Sequence, residues 1–213
     1  MALTCALTLA FVFVIAIAAL RLAASVAPPV WSPRTAVSES RLPVISIIVA
    51  LHNEAEVMPG LVAALARLSY PAERLDILFA LEAHDHTTRA AAKAAGRRIG
   101  ARVLVVPPCG PTTKPRALNY ALQAARGELI AVYDAEDAPH AGQLRAAAEA
   151  FAADPELGVV QAPLGWYNGQ DNWLTRQFAL EYAAQFYALL PLYCRLGWPL
   201  PLGGTSNVFC GLM

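Results

Sequence analysis

Three carboxylates follow directly on an apolar run: Leu129-Ile-Ala-Val-Tyr133 is succeeded by Asp134-Ala-Glu136-Asp137. A short run of this composition reads as a buried strand, and an unpartnered carboxylate is costly to bury. Acids at the carboxyl end of a buried strand therefore suit a site that holds a cation. In open α/β sheets that edge is also where ligands bind. Asp134 and Glu136 stand two residues apart, so a local turn must bring both to one ion. Hard oxygen donors of this kind suit Mg2+ or Mn2+, ions that keep waters and bind substrate phosphates. The same pattern equally describes an acidic turn that caps the next helix, with Asp137 ahead of Pro139.

Three other groups of residues carry comparable chemistry. Glu82 and Asp85 close an earlier apolar run. A carboxylate there can accept hydrogen bonds from a base or a ribose, and Asp85 can equally serve as a helix N-cap. Lys114 and Arg116 flank Pro115 at a helix start, with Asn119 one turn further on. A helix N-terminus with added cations favours an anion such as a diphosphate, although the same residues also make an ordinary charged surface. Finally, Gly203-Gly204-Thr205-Ser206-Asn207 offers backbone amides and small hydroxyls that allow close approach of a polar ligand.

These residues need a scaffold that brings them to one edge, and the periodicity supplies it. Strands are predicted over 44–51, 76–81, 103–106, 129–133 and 158–161. Helices are predicted over 57–68, 87–99, 115–126, 141–153 and 173–190. Pro115 suits the first turn of its helix, and Gly127 is read as that helix's stop. Strands alternating with helices predict an α/β domain with a mostly parallel sheet covered on both faces. The last helix carries Trp173, Phe178, Tyr182, Phe186 and Tyr187 with few charges. It reads either as a core helix or as one lying at a membrane interface.

The chain has 213 residues, 57% of them hydrophobic, with 16 basic and 16 acidic side chains and zero formal net charge. That balance points away from nucleic acid as a partner, and the apolar fraction points to lipid contact. Ala2 to Leu20 holds no charge and as a helix would rise about 28 Å, roughly one bilayer core. A cleaved signal peptide would want a basic n-region, and no basic residue precedes Arg21. Arg21, Arg34 and Arg41 all follow the segment, which predicts a cytoplasmic remainder. Residues 1–26 are thus expected to form a transmembrane anchor, 27–43 a proline-rich linker, and 44–213 the α/β domain. Cys5, Cys109, Cys194 and Cys210 form no CxxC pair or zinc spacing.

Taken together, Val44 to Asn53-Glu54, the acids after the second strand, Lys114-Pro-Arg-Ala-Leu-Asn119, Tyr133-Asp-Ala-Glu-Asp137 and Gly203-Gly-Thr-Ser-Asn207 resemble the family 2 glycosyltransferases. The likeness is greatest to the membrane-bound polysaccharide synthase, cellulose synthase-like branch. It implies a GT-A fold, Rossmann-like, and a nucleotide-diphosphate sugar donor, commonly UDP-linked. The acceptor would be a glycan or lipid, and transfer would proceed with inversion. It further implies a place at the cell inner membrane or plasma membrane with the catalytic domain cytoplasmic. By position, Ala50, Asn53, Glu54, Glu82 and Asp85 would line the nucleotide pocket, with Lys114, Arg116, Asn119 and Asp134 on the donor. Asp134 and Glu136 would match the metal-binding acidic pair, where the family commonly has Asp at the second position. Gly203, Gly204, Thr205, Ser206 and Asn207 would lie near the donor sugar and acceptor.

The sequence also departs from the family pattern. The family's base belongs to a Thr-Glu-Asp motif well beyond the Gly-Gly-Thr-Ser-Asn loop, and no carboxylate follows Glu181 here. The expectation is a domain incomplete at its C terminus, with the general base beyond residue 213 and little turnover by this chain alone. A non-catalytic nucleotide-sugar-binding or membrane-interaction module is the alternative. A Rossmann oxidoreductase would want GxGxxG after the first strand, where His52-Asn-Glu-Ala-Glu56 stands. An aspartyl phosphatase would want its acids after the first strand rather than the fourth.

Overall fold

The computed structural model of the chain describes residues 1–27 and 33–211. Pro28 and Pro29 of the linker and the last two residues of the domain as drawn from sequence lie outside that range. The described residues pack as two compact units. One comprises Pro33–Ala162 with Leu202–Met213, the other Met1–Ser32 with Pro163–Pro201.

The first unit is built on a six-stranded sheet in the order β3-β2-β1-β4-β6-β5. Its strands are β1 (Ile45–Leu51), β2 (Leu75–Glu82), β3 (Arg102–Val106), β4 (Leu129–Tyr133), β5 (Val159–Gln161) and β6 (Asn207–Cys210). β3, β2, β1 and β4 run parallel. β6 is antiparallel to both β4 and β5. The sheet is therefore mostly parallel, and its helices are α2 (Met58–Leu65), α3 (His86–Gly96), α4 (Lys114–Leu122) and α5 (Gln143–Ala153).

Alternation along β1 explains the layering. Ile45, Ile47, Val49 and Leu51 face one core with Met58 and Leu61 of α2, Ala92 of α3 and Leu144 of α5. Ile48 faces a second core with Leu78, Ile130, and Ala117 and Ala121 of α4. A strand buried on both faces reads as a continuous apolar run, which is why β1 and β4 stand out in the sequence.

Two expectations are corrected. Residues 207–210, assigned to no strand from the sequence and with Asn207 read as loop, form β6. Asn207 pairs with Val132 and Gln161, so β6 depends on partners distant in sequence. The third helix ends at Leu122, not at residue 126. Gly127 is not its stop but a point of close approach to β1: a Cβ there would stand 2.3 Å from the Ser46 amide nitrogen. Ser46 Oγ accepts from the Arg126 and Gly127 N–H groups at 3.0 and 2.8 Å and donates to Asp76 at 2.8 Å. Arg102 donates to both Asp76 oxygens and to the Ala124 carbonyl. This polar knot satisfies the backbone leaving α4 and starts β4 in register with β1. The described part of the linker holds one 3-10 turn, Glu39–Arg41, and is docked, with Thr35 N–H donating to the Glu149 carbonyl of α5 at 3.1 Å.

The second unit is helical. α1 (Ala2–Val26) contains a 24-residue stretch, Leu3–Val26, long and apolar enough to cross a bilayer by length and composition. α6 (Trp173–Ala184) continues through a π-helical turn, Gln185–Leu189, into α7 (Leu190–Leu196). Asn172 and Thr175 form a capping box at the start of α6. Arg21 pairs with Glu181 at 3.3 Å. Phe186 and Leu190 are buried, whereas Trp173, Leu180 and Tyr187 are more than half exposed.

Candidate donor-binding site

The carboxyl ends of β1, β2 and β4 converge on an open cavity of about 360 Å³ in the sheet unit. Its lining includes Ala50 and His52 from the end of β1, then Glu54, Glu82, Lys114, Asp134 and Glu136. Local structure explains how each side chain arrives there.

Asn53 has φ of 56°, in the left-handed region, and turns the chain directly after β1. Asparagine is among the residues that tolerate this conformation. Asp85 holds the turn by accepting from the Asn53 N–H at 2.7 Å, while its other oxygen caps α3 through the Thr88 N–H at 3.0 Å. The Thr88 hydroxyl accepts from the Glu54 N–H at 3.0 Å. Burial opposes the charge on Asp85, but the Asn53 and Thr88 donors outweigh it and keep its carboxyl below the usual range. Asp85 and Asn53 thus fix the rim from behind while Glu54 reaches the cavity.

Burial raises the Glu54 carboxyl; the His52 N–H partly offsets this, and the negative charges of Glu136 and Asp134 add to the rise. Glu54, Asp134 and Glu136 thus share the lining of one cavity. Lys114, at the first turn of α4, answers their negative charge: its Nζ forms an ion pair with Asp134 and donates to the Gly204 carbonyl at 3.0 Å. Arg116, two residues further along α4, donates to both oxygens of the buried Glu82 at 2.9 and 3.1 Å and to the Pro107 carbonyl. Asn119 is exposed on α4, outside the cavity lining.

The Gly203–Asn207 turn meets the end of β4. Ser206, with φ of 57°, donates its N–H to the Val132 carbonyl at 2.8 Å. A left-handed serine is uncommon, and such conformations gather at functional sites. The Thr205 hydroxyl donates to Asp137. Asn207 turns its amide back onto the Gly203 carbonyl at 2.6 Å. Of this turn, only Gly204 makes a hydrogen bond to a side chain that lines the cavity.

Sequence reasoning did not single out His52 or Thr88. His52 lines the cavity, with its ring 6.0 Å from that of His84 in a T-shaped pair. Their signals were local: His52 is the first polar residue after β1, and Asp85-x-x-Thr88 has N-cap spacing. A second, smaller cavity of about 130 Å³ lies in the helical unit beside Arg21 and Glu181. Among the described residues no three His, Cys, Asp or Glu side chains form a ready metal cage. A cation at Asp134 and Glu136 would therefore complete its shell with ligand or water oxygens.

Comparison with known proteins gives these features a frame. Residues 43–206, well over half the chain, match the family model described as glycosyltransferase like family 2. A Bacillus subtilis (strain 168) protein named "Probable glycosyltransferase YdaM" is 25% identical over 151 residues, 70% of this chain and 36% of that protein. Cellulose synthase 2 of Novacetimonas hansenii is 27% identical over 153 residues, 70% of this chain and 9% of that protein. The chain therefore spans a minor part of the length of these relatives. In fold it is similar to the mannosyltransferase PcManGT from Pyrobaculum calidifontis, solved in complex with GDP-Man and Mn2+. The TM-score is 0.55 at 22% identity, over 87% of this chain and 55% of that one. The α/β architecture is accordingly that of GT-A, and the acids that follow β1, β2 and β4 line a cavity at the carboxyl edge of the sheet, the edge at which open α/β sheets generally bind ligands. On the match over residues 43–206, the chain belongs to the glycosyltransferase-like family 2.

Proposed function

We propose that the protein transfers a sugar from a nucleotide-diphosphate donor, UDP-linked, to a glycan or lipid acceptor with inversion. The observation that carries this is the convergence of Glu54, Glu82, Lys114, Asp134 and Glu136 on one cavity at the sheet edge. Family membership and the solved relative with GDP-Man and Mn2+ support the class of donor.

Glu82, oriented by Arg116, would accept hydrogen bonds from the nucleoside. Lys114 and the N-terminus of α4 present positive charge to the diphosphate. Asp134 and Glu136 would hold Mg2+ or Mn2+. Their oxygens, with Glu54 repelled by both, make a negative patch that fits a hard divalent ion. When bound, the metal supplies Lewis-acid neutralisation of the departing diphosphate. The acceptor hydroxyl would bond through its oxygen to the anomeric carbon as the bond to diphosphate breaks, its proton passing to a general base, and the Gly203–Asn207 turn would lie beside that centre. With α1 as its anchor, the enzyme would sit in the inner or plasma membrane with the sheet unit in the cytoplasm.

In this reading the four acids that line the cavity among the described residues, Glu54, Glu82, Asp134 and Glu136, would all serve the donor side. That favours a second reading for this chain by itself: donor binding without turnover. Calorimetry with UDP-sugars and Mn2+ tests the first statement, with binding expected and its loss expected in Asp134→Ala. No binding of any nucleotide sugar would overturn it. Robust transfer by the purified chain, lost in Asp134→Ala, would overturn the second reading.

A further inference from the structure

The third acid of the turn, Asp137, does not line the cavity. Its carboxylate faces the protein. Oδ2 accepts from the Asp134 backbone N–H at 2.7 Å and from the Thr205 hydroxyl. The Asp134 N–H is shared with Thr205 Oγ1 at 3.1 Å. The Asp137 N–H in turn donates to the Asp134 carbonyl at 3.2 Å, closing the turn. Thr205 is buried, and 68 residues separate it from Asp137. One carboxylate therefore closes the acid turn and clasps it to the Gly203–Asn207 turn.

We infer that Asp137 is a positioning residue: it aims the Asp134 side chain into the cavity and fixes it to the Gly203–Asn207 turn, without itself touching the ligand. This rests on the donor reading given above. The geometry leaves Asp134 and Glu136 to the cavity because Asp137 takes the inward place. A charged acceptor is the strongest partner available to a backbone N–H and a hydroxyl that share one part-buried corner. Cutting the clasp leaves the Asp134 N–H and the Thr205 hydroxyl without that partner and frees the turn to rotate. Loss of such a supporting contact behind a metal ligand commonly weakens metal binding by about 10–100-fold.

The experiment compares the full chain with Asp137→Ala, Asp137→Asn, Thr205→Val and Asp134→Asn. Mn2+ binding in the presence of UDP is read by electron paramagnetic resonance, and UDP binding in EDTA by calorimetry. Asp137→Ala is expected to weaken Mn2+–UDP binding by about tenfold or more, while metal-free UDP binding through the Glu82 side is unchanged. Asp137→Asn keeps an oxygen acceptor and is expected to stay within a few-fold of the wild type, unlike Asp134→Asn. Thr205→Val cuts the clasp from the other turn and is expected to weaken Mn2+ binding even if Asp137→Ala fails to fold. Its effect and that of Asp137→Ala should be non-additive in the double variant. Wild-type Mn2+ affinity in both Asp137→Ala and Thr205→Val overturns the inference. So does a loss in Asp137→Asn as large as in Asp134→Asn, which would make Asp137 a ligand. Failure of the wild type to bind Mn2+ with UDP overturns the donor reading, and this inference with it.

Discussion

Lys114 sits on Asp134. Its ammonium pairs with the carboxylate that would hold the metal and donates to the Gly204 carbonyl, bridging the acid turn and the Gly203–Asn207 turn from the solvent side. A divalent ion and this ammonium compete for the same oxygens. Lys114→Met is therefore expected to tighten binding of Mn2+ alone by roughly tenfold, equivalent to about 1.4 kcal/mol. It should also weaken UDP binding in EDTA, because the start of α4 loses its cation. Titration of both variants by electron paramagnetic resonance and calorimetry checks this. Unchanged or weaker Mn2+ binding in Lys114→Met would show that the two cations do not compete.

Gly127 carries no unusual backbone angle among the positive-φ residues, so its requirement is steric. A Cβ would meet the Ser46 nitrogen at 2.3 Å and the Ile45 carbonyl carbon at 2.9 Å. Both are backbone atoms of β1 and cannot rotate away. Gly127→Ala must push β4 from β1 and break the Ser46 bonds to residues 126 and 127. Overpacking of this kind costs about 3 kcal/mol or more. A urea melt should show a lower midpoint with little change in slope. Gly60→Ala, with open space around its Cβ position, is the comparison.

What the sequence disclosed and what it hid differ for a physical reason. β4 is found from Leu129 to Tyr133, the span read from the apolar run, because burial on both faces writes itself into consecutive residues. β6 has four residues and no alternation to read; it is a strand only because β4 and β5 stand on either side. The acids were legible one strand at a time. Their meeting depended on β1 lying between β2 and β4, which no local pattern states. Asp137 shows the limit most sharply. Its spacing from Asp134 and Pro139 suggested a cap, and its partner Thr205 lies 68 residues away.

Asp85 gives a pH signature. Its folded carboxyl is held below the ordinary range by the Asn53 and Thr88 donors, which prevail over burial. The unfolded chain then binds a proton that the folded chain refuses, so stability rises with pH across that interval. The contribution is full above the ordinary carboxylate range and is lost as pH falls through the folded value. Asp85→Asn keeps an acceptor for the cap but cannot titrate. Relative to Asp85→Asn, the wild type should lose stability on acidification below the ordinary Asp range. Parallel stability profiles for the two proteins from neutral to acid pH would refute the assignment. Because Asp85 also holds the Asn53 turn, Asp85→Ala should weaken UDP binding as well as the fold.

The N-terminal helix makes the final test one of place and orientation. Leu3–Val26 is long enough to span a bilayer, and most of its large apolar side chains lie open, Ala24 being buried. Exposed leucine, phenylalanine and isoleucine over that length are strongly disfavoured in water and match the hydrocarbon core in length. Arg21 lies near the end of the apolar stretch, and Arg34 and Arg41 follow it, so the proposed orientation puts the sheet unit in the cytoplasm. The chain should therefore remain with membranes through a carbonate wash, and removal of residues 1–26 should release it. Cys109 is exposed on the sheet unit and serves as the reporter of side. In a variant keeping Cys109 alone, a membrane-impermeant maleimide should react only after the membrane is opened. Labelling in intact spheroplasts would place the sheet unit on the outer side, and with it the donor site, away from the cytoplasmic pool of nucleotide sugars.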